Sequence, residues 1–266
     1  MTGDGTQLSP FVPEDWDELV TAAAMTGVYV QLPAFAEWNM DDYYSEGITA
    51  PLVVNCVEID GNYAKIKNLN VDNNVLRADA IQCNGNLIKN LNLVDIIHSG
   101  NSYNYAVIAQ GNFYNTRFSG VQEGTSKKFA GSSSVSKFDR CSLNLEGGDI
   151  GSVYYMIWKN SEISIVTNTS CNTGILYRCK VTGRVNGGNS LFTIASRVEG
   201  YTTENTVVDV YGTGRVVGSS SGSVINSLIN KEKWTGRIDP NYTEVTSAQM
   251  IDAEYLRSIG FMAGDA

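Results

Sequence analysis

Apolar and polar residues recur in a fixed order along most of this chain. The order is apolar, any, Asn, small or apolar, any, apolar. It reads Ile66-Lys67-Asn68-Leu69-Asn70-Val71, then Ile88-Lys89-Asn90-Leu91-Asn92-Leu93, then Phe113-Tyr114-Asn115-Thr116-Arg117-Phe118. Weaker copies start at Phe138, Trp158, Leu176, Thr203 and Val224. The starts lie 22, 25, 25, 20, 18, 27 and 21 residues apart. Repeats of that length indicate a stacked solenoid. The third position holds Asn68, Asn90, Asn115, Arg140, Asn160, Arg178, Asn205 and Asn226.

One solenoid fits this pattern. Asn tolerates the left-handed backbone region better than most residues. A coil that turns a sharp corner on every rung needs such a residue at every corner. Stacked strands place equivalent side chains about 4.7–4.9 Å apart, so each Asn amide reaches the one on the next rung. Positions four and six alternate with polar ones, the period of a half-buried strand. Leu69, Leu91, Thr116, Cys141, Ser161, Cys179, Thr206 and Ser227 then form a smaller interior stack. The predicted fold is all-β: a right-handed parallel β-helix with an Asn ladder inside the coil, closed by short N-terminal and C-terminal capping helices.

The flanks read differently. Residues 13–26 predict a helix, with Pro13 near its start, acidic first turns, Gly27 at its end, and Trp16, Leu19, Val20 and Ala23 on one face. Laid over the first rung, it closes a sheet edge that would otherwise invite aggregation. Strands are expected at 28–32 and 52–59. Further strands, expected just before the corners, are 80–83, 105–109, 153–157 and 191–195. Near the other end, Thr246-Ser-Ala-Gln249 reads as a capping box before a helix over 250–258. The organisation expected is an N-terminal segment 1–32, a coil 33–230 and a C-terminal segment 231–266. Ile251, Tyr255, Ile259 and Phe261 make that last segment either a cap on the coil or a docking tail.

Composition narrows the partners. The net charge is −9 with no Lys/Arg run, so nucleic acid is not expected. No apolar stretch nears the roughly 20 residues of a membrane span, and membrane insertion is not expected. The opening Met1-Thr2-Gly3-Asp4-Gly5 lacks the apolar core of a signal peptide, so synthesis in a cytoplasm is expected. Five cysteines show no metal or redox spacing, and two occupy interior slots, so they read as buried reduced thiols.

Candidate chemistry is sparse. No nucleophile-elbow, zinc-protease, P-loop or calcium-loop motif occurs. His98 is the single histidine and reads as a loop residue. The outward slots after position one carry two carboxylates, Asp139 and Glu204, three rungs apart. That is about 14 Å, beyond the roughly 5–9.5 Å of glycosidase carboxylates. Asp139 reads instead as a charge partner of its neighbours, while Asp95, Glu146 and Asp149 are left as groups that turns could gather. No catalytic residue, metal or cofactor is expected. Exposed aromatics such as Tyr114 and Tyr177 fit a sugar-binding face, a subunit interface or core packing.

Both ends carry a likeness. The opening Gly3-Asp4-Gly5-Thr6, the Trp16-Asp17-Glu18-Leu19 helix and the Gly27-Val-Tyr-Val-Gln-Leu32 strand resemble small β-helix virion proteins of tailed bacteriophages and prophages. The closing Val245-Thr246-Ser-Ala-Gln249 and Tyr255-Leu-Arg-Ser-Ile-Gly-Phe261 are similar to their C-terminal tail. The middle matches in repeat style alone. The resemblance implies a virion-surface protein such as a capsid decoration, head fibre or tailspike. Its implied partners are two further copies in a homotrimer, other capsid or tail proteins, and host-surface glycan. The alternative is a tailspike-like polysaccharide lyase or glycoside hydrolase on the same fold, although no catalytic groove motif carries over.

Overall fold

The computed structural model describes residues 1–44, 46–99, 105–122, 129–131, 136–146, 156–165, 170–171, 175–177, 179–182, 184–186, 192–194, 197–198, 201–203, 206–208, 211–212, 223–225, 227–232, 242–250 and 252–259. The protein is a parallel β-helix. Among the described residues every strand pairing is parallel, each strand pairing with the equivalent strand one rung away; the one antiparallel contact is the isolated bridge between Thr2 and Val12. One long sheet stacks ten strands from Tyr29–Gln31 to Ser223–Ile225, and a second stacks strands from Glu37–Asn39 to Tyr242–Val245. A four-stranded third wall joins Leu52–Val53, Ile81–Gln82, Ile108–Ala109 and Ala130–Gly131.

The register identifies the true repeat. Val30, Ile59, Ile88, Phe113, Phe138, Trp158, Leu176, Thr193, Val207 and Val224 stack in one column of the first sheet. Six repeat starts expected from sequence fall on this column: Ile88, Phe113, Phe138, Trp158, Leu176 and Val224. Two do not. Ile66 belongs to the second sheet, paired with Trp38 and Leu93, and Thr203 ends a strand of a short separate sheet. Rung length falls from 29 residues between Val30 and Ile59 to 14 between Thr193 and Val207.

Interior positions follow from this register. The column side chains Val30, Ile59, Ile88, Phe113, Phe138 and Trp158 are all buried. So are Trp38, Ile66, Leu93, Phe118, Leu143 and Ile163 from the second sheet. Between the sheets lies the predicted small stack, with Leu91, Thr116, Cys141, Ser161 and Cys179 buried. Leu69 is buried too, but in the second-sheet corner. The polar members satisfy themselves locally. Thr116 Oγ1 donates to the Tyr114 carbonyl (3.1 Å) and Ser161 Oγ to that of Lys159 (2.6 Å). The Cys141 thiol bonds the Asp139 carbonyl (3.4 Å). A side-chain donor two residues past a strand carbonyl therefore enters the core without an unmet hydrogen bond.

The ends are closed as expected, with changed boundaries. The first helix is Trp16–Ala23, shorter than 13–26, because the Asp15 carboxylate accepts from the Glu18 amide and fixes the start there. Trp16, Leu19, Ala22 and Ala23 are buried against Tyr29–Gln31 and Leu52–Val53. The Ala23 carbonyl accepts from the amides of Asn55 and Cys56, so the coil itself satisfies the helix end. At the other end the capping box forms. The Thr246 amide donates to Gln249 Oε1 (2.8 Å), and the Gln249 amide to Thr246 Oγ1 (3.2 Å). It starts a short helix, Ser247–Met250, and Asp252 then caps a second, Ala253–Ser258. The helix expected over 250–258 is the shorter Ala253–Ser258, which starts at the Asp252 cap, and Ser247–Met250 is a separate helix before it.

Some expected strands are redrawn. The segment 52–59 is two strands, Leu52–Val53 and Glu58–Asp60, on different walls. Ile81–Gln82 and Ile108–Ala109 precede their corners as expected. Met156–Lys159 and Phe192–Ile194 instead belong to the first sheet, whose strands lead into the corners. Because Tyr29–Gln31 is the first strand of the long sheet and Tyr242–Val245 pairs with Ser227–Asn230, the coil extends beyond 33–230 in both directions. No helix among the described residues is long and apolar enough to cross a membrane.

Candidate functional site

The corner between the two long sheets carries the polar groups that the repeat singled out. Asn90, Asn115, Arg140 and Asn160 all adopt the left-handed conformation, with φ of 52°, 49°, 54° and 48°. Their amides continue the parallel ladder, as in Asn115 N to the Asp139 carbonyl at 2.9 Å. The side chains form a mixed ladder. Asn115 Nδ2 donates to Asn90 Oδ1 (2.8 Å), Asn90 Nδ2 to Asp60 Oδ1 (3.0 Å), and Asn160 Nδ2 to Asp139 Oδ1 (2.9 Å). Arg140 leaves the ladder and lays its guanidinium over the Tyr114 ring at 5.5 Å.

This corrects the interior placement. Asn90 and Asn115 are half-buried and Asn160 is exposed, because the residues on either side of the corner take the inward positions. Asn68 is also left-handed (φ 58°) but lies in another column, level with Asp95 (φ 55°), and its amide bonds Asn39 and Asp41. In the Asn90 column the preceding rung has Gly61, where a Cβ would lie 2.7 Å from the Asn90 carbonyl. Asn205 and Asn226 lie outside the described residues. Replacing Asn115 by Leu should cost about 1–2 kcal/mol, from one half-buried hydrogen bond and a strained backbone. The urea midpoint measures it, and unchanged midpoints in both Asn90→Leu and Asn115→Leu would show that the corner bonds carry no stability.

The C-terminal residues act on the coil. Leu256 is buried against Leu228 and Val245, with Tyr255 and Ile259 packed around them. This is the arrangement of a cap; Ile251 and Phe261 lie outside the described residues.

Several ionisable groups are paired or buried. Glu37 bridges Lys65 and Lys67, both at 2.6 Å, and these lysines hold its carboxyl down at about 2. Lys89 sits 2.7 Å from Glu58 and 3.3 Å from Asp60, and the Glu58 bond raises its pKa. Cys56, Cys83, Cys141 and Cys179 are in no disulfide and are buried, as read from sequence. Burial pushes Cys56 up to about 11 and Cys141 to about 12. Among the described residues no group of three or more His, Cys, Asp or Glu is placed to hold a metal. Asp95 lies at a corner of the second sheet and Asp139 at the end of a first-sheet strand; Asp149 and Glu204 fall outside the described residues.

His98 was expected in a loop. It lies in the strand Asn92–Ser99 and is 1% exposed. Burial pushes its pKa down to about 4, against a smaller opposing effect of Asp72. The unfolded chain, titrating near 6.5, therefore binds the extra proton first. Stability should be intact above about pH 6.5 and fall by about 3 kcal/mol as pH drops to 4. Glu37 acts lower, between its ordinary 4.5 and about 2. Urea midpoints measured from pH 7 to 4 should slope in the parent and flatten in His98→Gln.

Two aromatic residues stand out of the coil at one corner. Phe35 (φ 57°) and Tyr63 (φ 62°) are left-handed aromatics, 73% and 50% exposed. Their rings stack at 5.9 Å with planes 17° apart. The signal was Phe35-Ala36-Glu37 recurring as Tyr63-Ala64-Lys65. Bulky left-handed residues cost about 1–2 kcal/mol each, and one aromatic pair returns about 0.5–1.5 kcal/mol. Asn90, Asn115 and Asn160 turn neighbouring corners in the same backbone region at lower cost, so two bulky exposed rings are a costly choice for the fold alone.

No family model matches the chain, and no curated protein matches it at significance. A solved structure of a candidate immunoglobulin A1 protease from Bacteroides ovatus aligns over 96% of this chain and 89% of its own, at 16% identity and a TM-score of 0.44. Likeness at that level carries no argument about function.

Proposed function

We propose that this chain is a structural protein of the virion surface in tailed bacteriophages, a capsid decoration or head fibre, that acts without catalysis and contacts host glycan. The observation that carries the non-catalytic part is the direction of the perturbed groups. A general acid or base works best with a pKa near the operating pH. Here Glu37 is held near 2 and His98 near 4, while Cys56 and Cys141 lie near 11 and 12. Every strong shift among the described residues moves away from neutrality. The remainder of the reading rests on the likeness at both ends. A stiff coil with closed ends suits a particle-surface rod, and closed cyclic symmetry is the usual form of soluble homo-oligomers.

Two measurements test this. Mass spectrometry of gradient-purified particles should find the protein, and light scattering should give a homotrimer, three times the 28.9-kDa chain. Incubation with bacterial surface polysaccharide should release no reducing ends. Release that disappears in Asp139→Asn would move the chain to the lyases or hydrolases, and a monomer at micromolar concentration would remove the trimer.

A further inference from the structure

We propose that the Phe35–Tyr63 stack is a carbohydrate platform that takes a hexopyranose ring on an open aromatic face; this deepens, and rests on, the surface role proposed above. Two nearly parallel rings stand out from the same corner on successive rungs, fixed there by main-chain hydrogen bonds. The Phe35 amide donates to the Asn62 carbonyl (3.1 Å) and that of Tyr63 to the Asn90 carbonyl (2.7 Å). The stack stops at two members because the corners contract. Four residues, Gly61 to Ala64, separate Asp60 from Lys65, but only Asn90 and Leu91 separate Lys89 from Asn92. No third aromatic follows Tyr63 at that corner, so a flat ring from a ligand can extend the stack.

The surroundings select the ligand. A pyranose has an apolar C–H face for an aromatic ring and a rim of hydroxyls that needs donors and acceptors. Two residues beyond each ring, the strands open with exposed Glu37 and Lys65, joined by Lys67. These groups carry both donors and acceptors, within four residues of the rings in sequence. A protein partner fits poorly, because a stable interface buries on the order of 1,000 Å² or more. The exposed apolar surface here is two rings and Ala34, bordered by charge. Nucleic acid, the other source of stacking rings, is disfavoured by the net charge of −9.

The corner conformation makes the test clean. Asn turns the neighbouring rungs in the same backbone region, so Phe35→Asn and Tyr63→Asn should melt at or above the temperature of the parent. The probes are cellohexaose, a neutral hexamer, and hexagalacturonate, an acidic one. Both are followed by saturation-transfer NMR, with native gels containing hydroxyethylcellulose as a second readout. The parent should transfer saturation to at least one hexamer, and the double variant should lose at least five-fold of that signal and of any gel retardation. Absence of transfer to both hexamers, or transfer retained in the double variant, overturns the proposal. A changed mass of the double variant by light scattering also overturns it, assigning the rings to a subunit contact. A protein absent from particles that still binds sugar through these rings would sink the virion reading and leave the platform standing.

Discussion

Phe138→Ala should destabilise the coil by about 3–5 kcal/mol, the range for emptying a buried aromatic site. Phe138 is 0% exposed and sits in the middle of the interior aromatic column. Its ring stacks on Phe113 at 5.1 Å with planes 10° apart, and on Trp158 at 3.9 Å and 8°. It also meets Phe118 edge-on at 6.2 Å. These contacts belong to three successive rungs, so truncation opens a void that parallel strands about 4.8 Å apart cannot close by local collapse. Denaturation followed by tryptophan emission is an apt measurement, because Trp158 lies against the ring that is removed. A midpoint shift no larger than that of Phe138→Leu would mean that the column relaxes around the gap.

Gly120→Ala is the second large effect, at about 3 kcal/mol or more. A Cβ there would fall 2.0 Å from the Ile96 carbonyl oxygen and 2.6 Å from the Ile96 nitrogen. Both are main-chain atoms in the adjacent rung. The register between these strands shifts between Phe118 and Gly120, opposite the left-handed Asp95. This bulge pushes the Ile96 backbone toward the next rung, where only a residue without a side chain fits. Gly27→Ala provides the contrast. Gly27 is left-handed (φ +81°) but has open space around it, so only the conformational penalty of about 1 kcal/mol applies. Equal losses in the two variants would show that the close approach to Ile96 is not what Gly120 is for.

The body of the coil was legible where corner and core signals coincide. From Ile88 to Trp158 every rung places a large apolar residue two positions before a left-handed Asn or Arg, and sequence and structure agree there. Earlier the signals separate. Ile59 heads a rung whose corner is Gly61, while Ile66-Lys67-Asn68 imitates the motif from a different corner. Asn68 is left-handed there for the same backbone reason, so residue type alone cannot say which column it serves. Later the apolar signal fades, since Thr193 and Val207 occupy the column with no Asn two positions on. The depth of the ladder is not legible in the sequence, because a corner residue turns its side chain aside while its neighbours take the core. The Phe35–Tyr63 pair is not legible in the sequence, because Phe and Tyr in an apolar-rich segment resemble core residues, and only the three-dimensional corner shows them exposed.

The parallel rung-on-rung pairing has a kinetic consequence. Each rung contacts only its neighbours, so the chain behaves as a one-dimensional array that grows from any formed rung and frays from its ends. The N-terminal helix closes rungs whose first-sheet column is large and buried, from Val30 to Trp158, whereas the later rungs shorten and place Thr193 and Val207 in that column. Opening should therefore begin at the C-terminal end and travel backward, and hydrogen exchange should slow from the last rungs toward the first. During synthesis the order reverses: the capped N-terminal rungs emerge first and serve as the template on which each later strand docks.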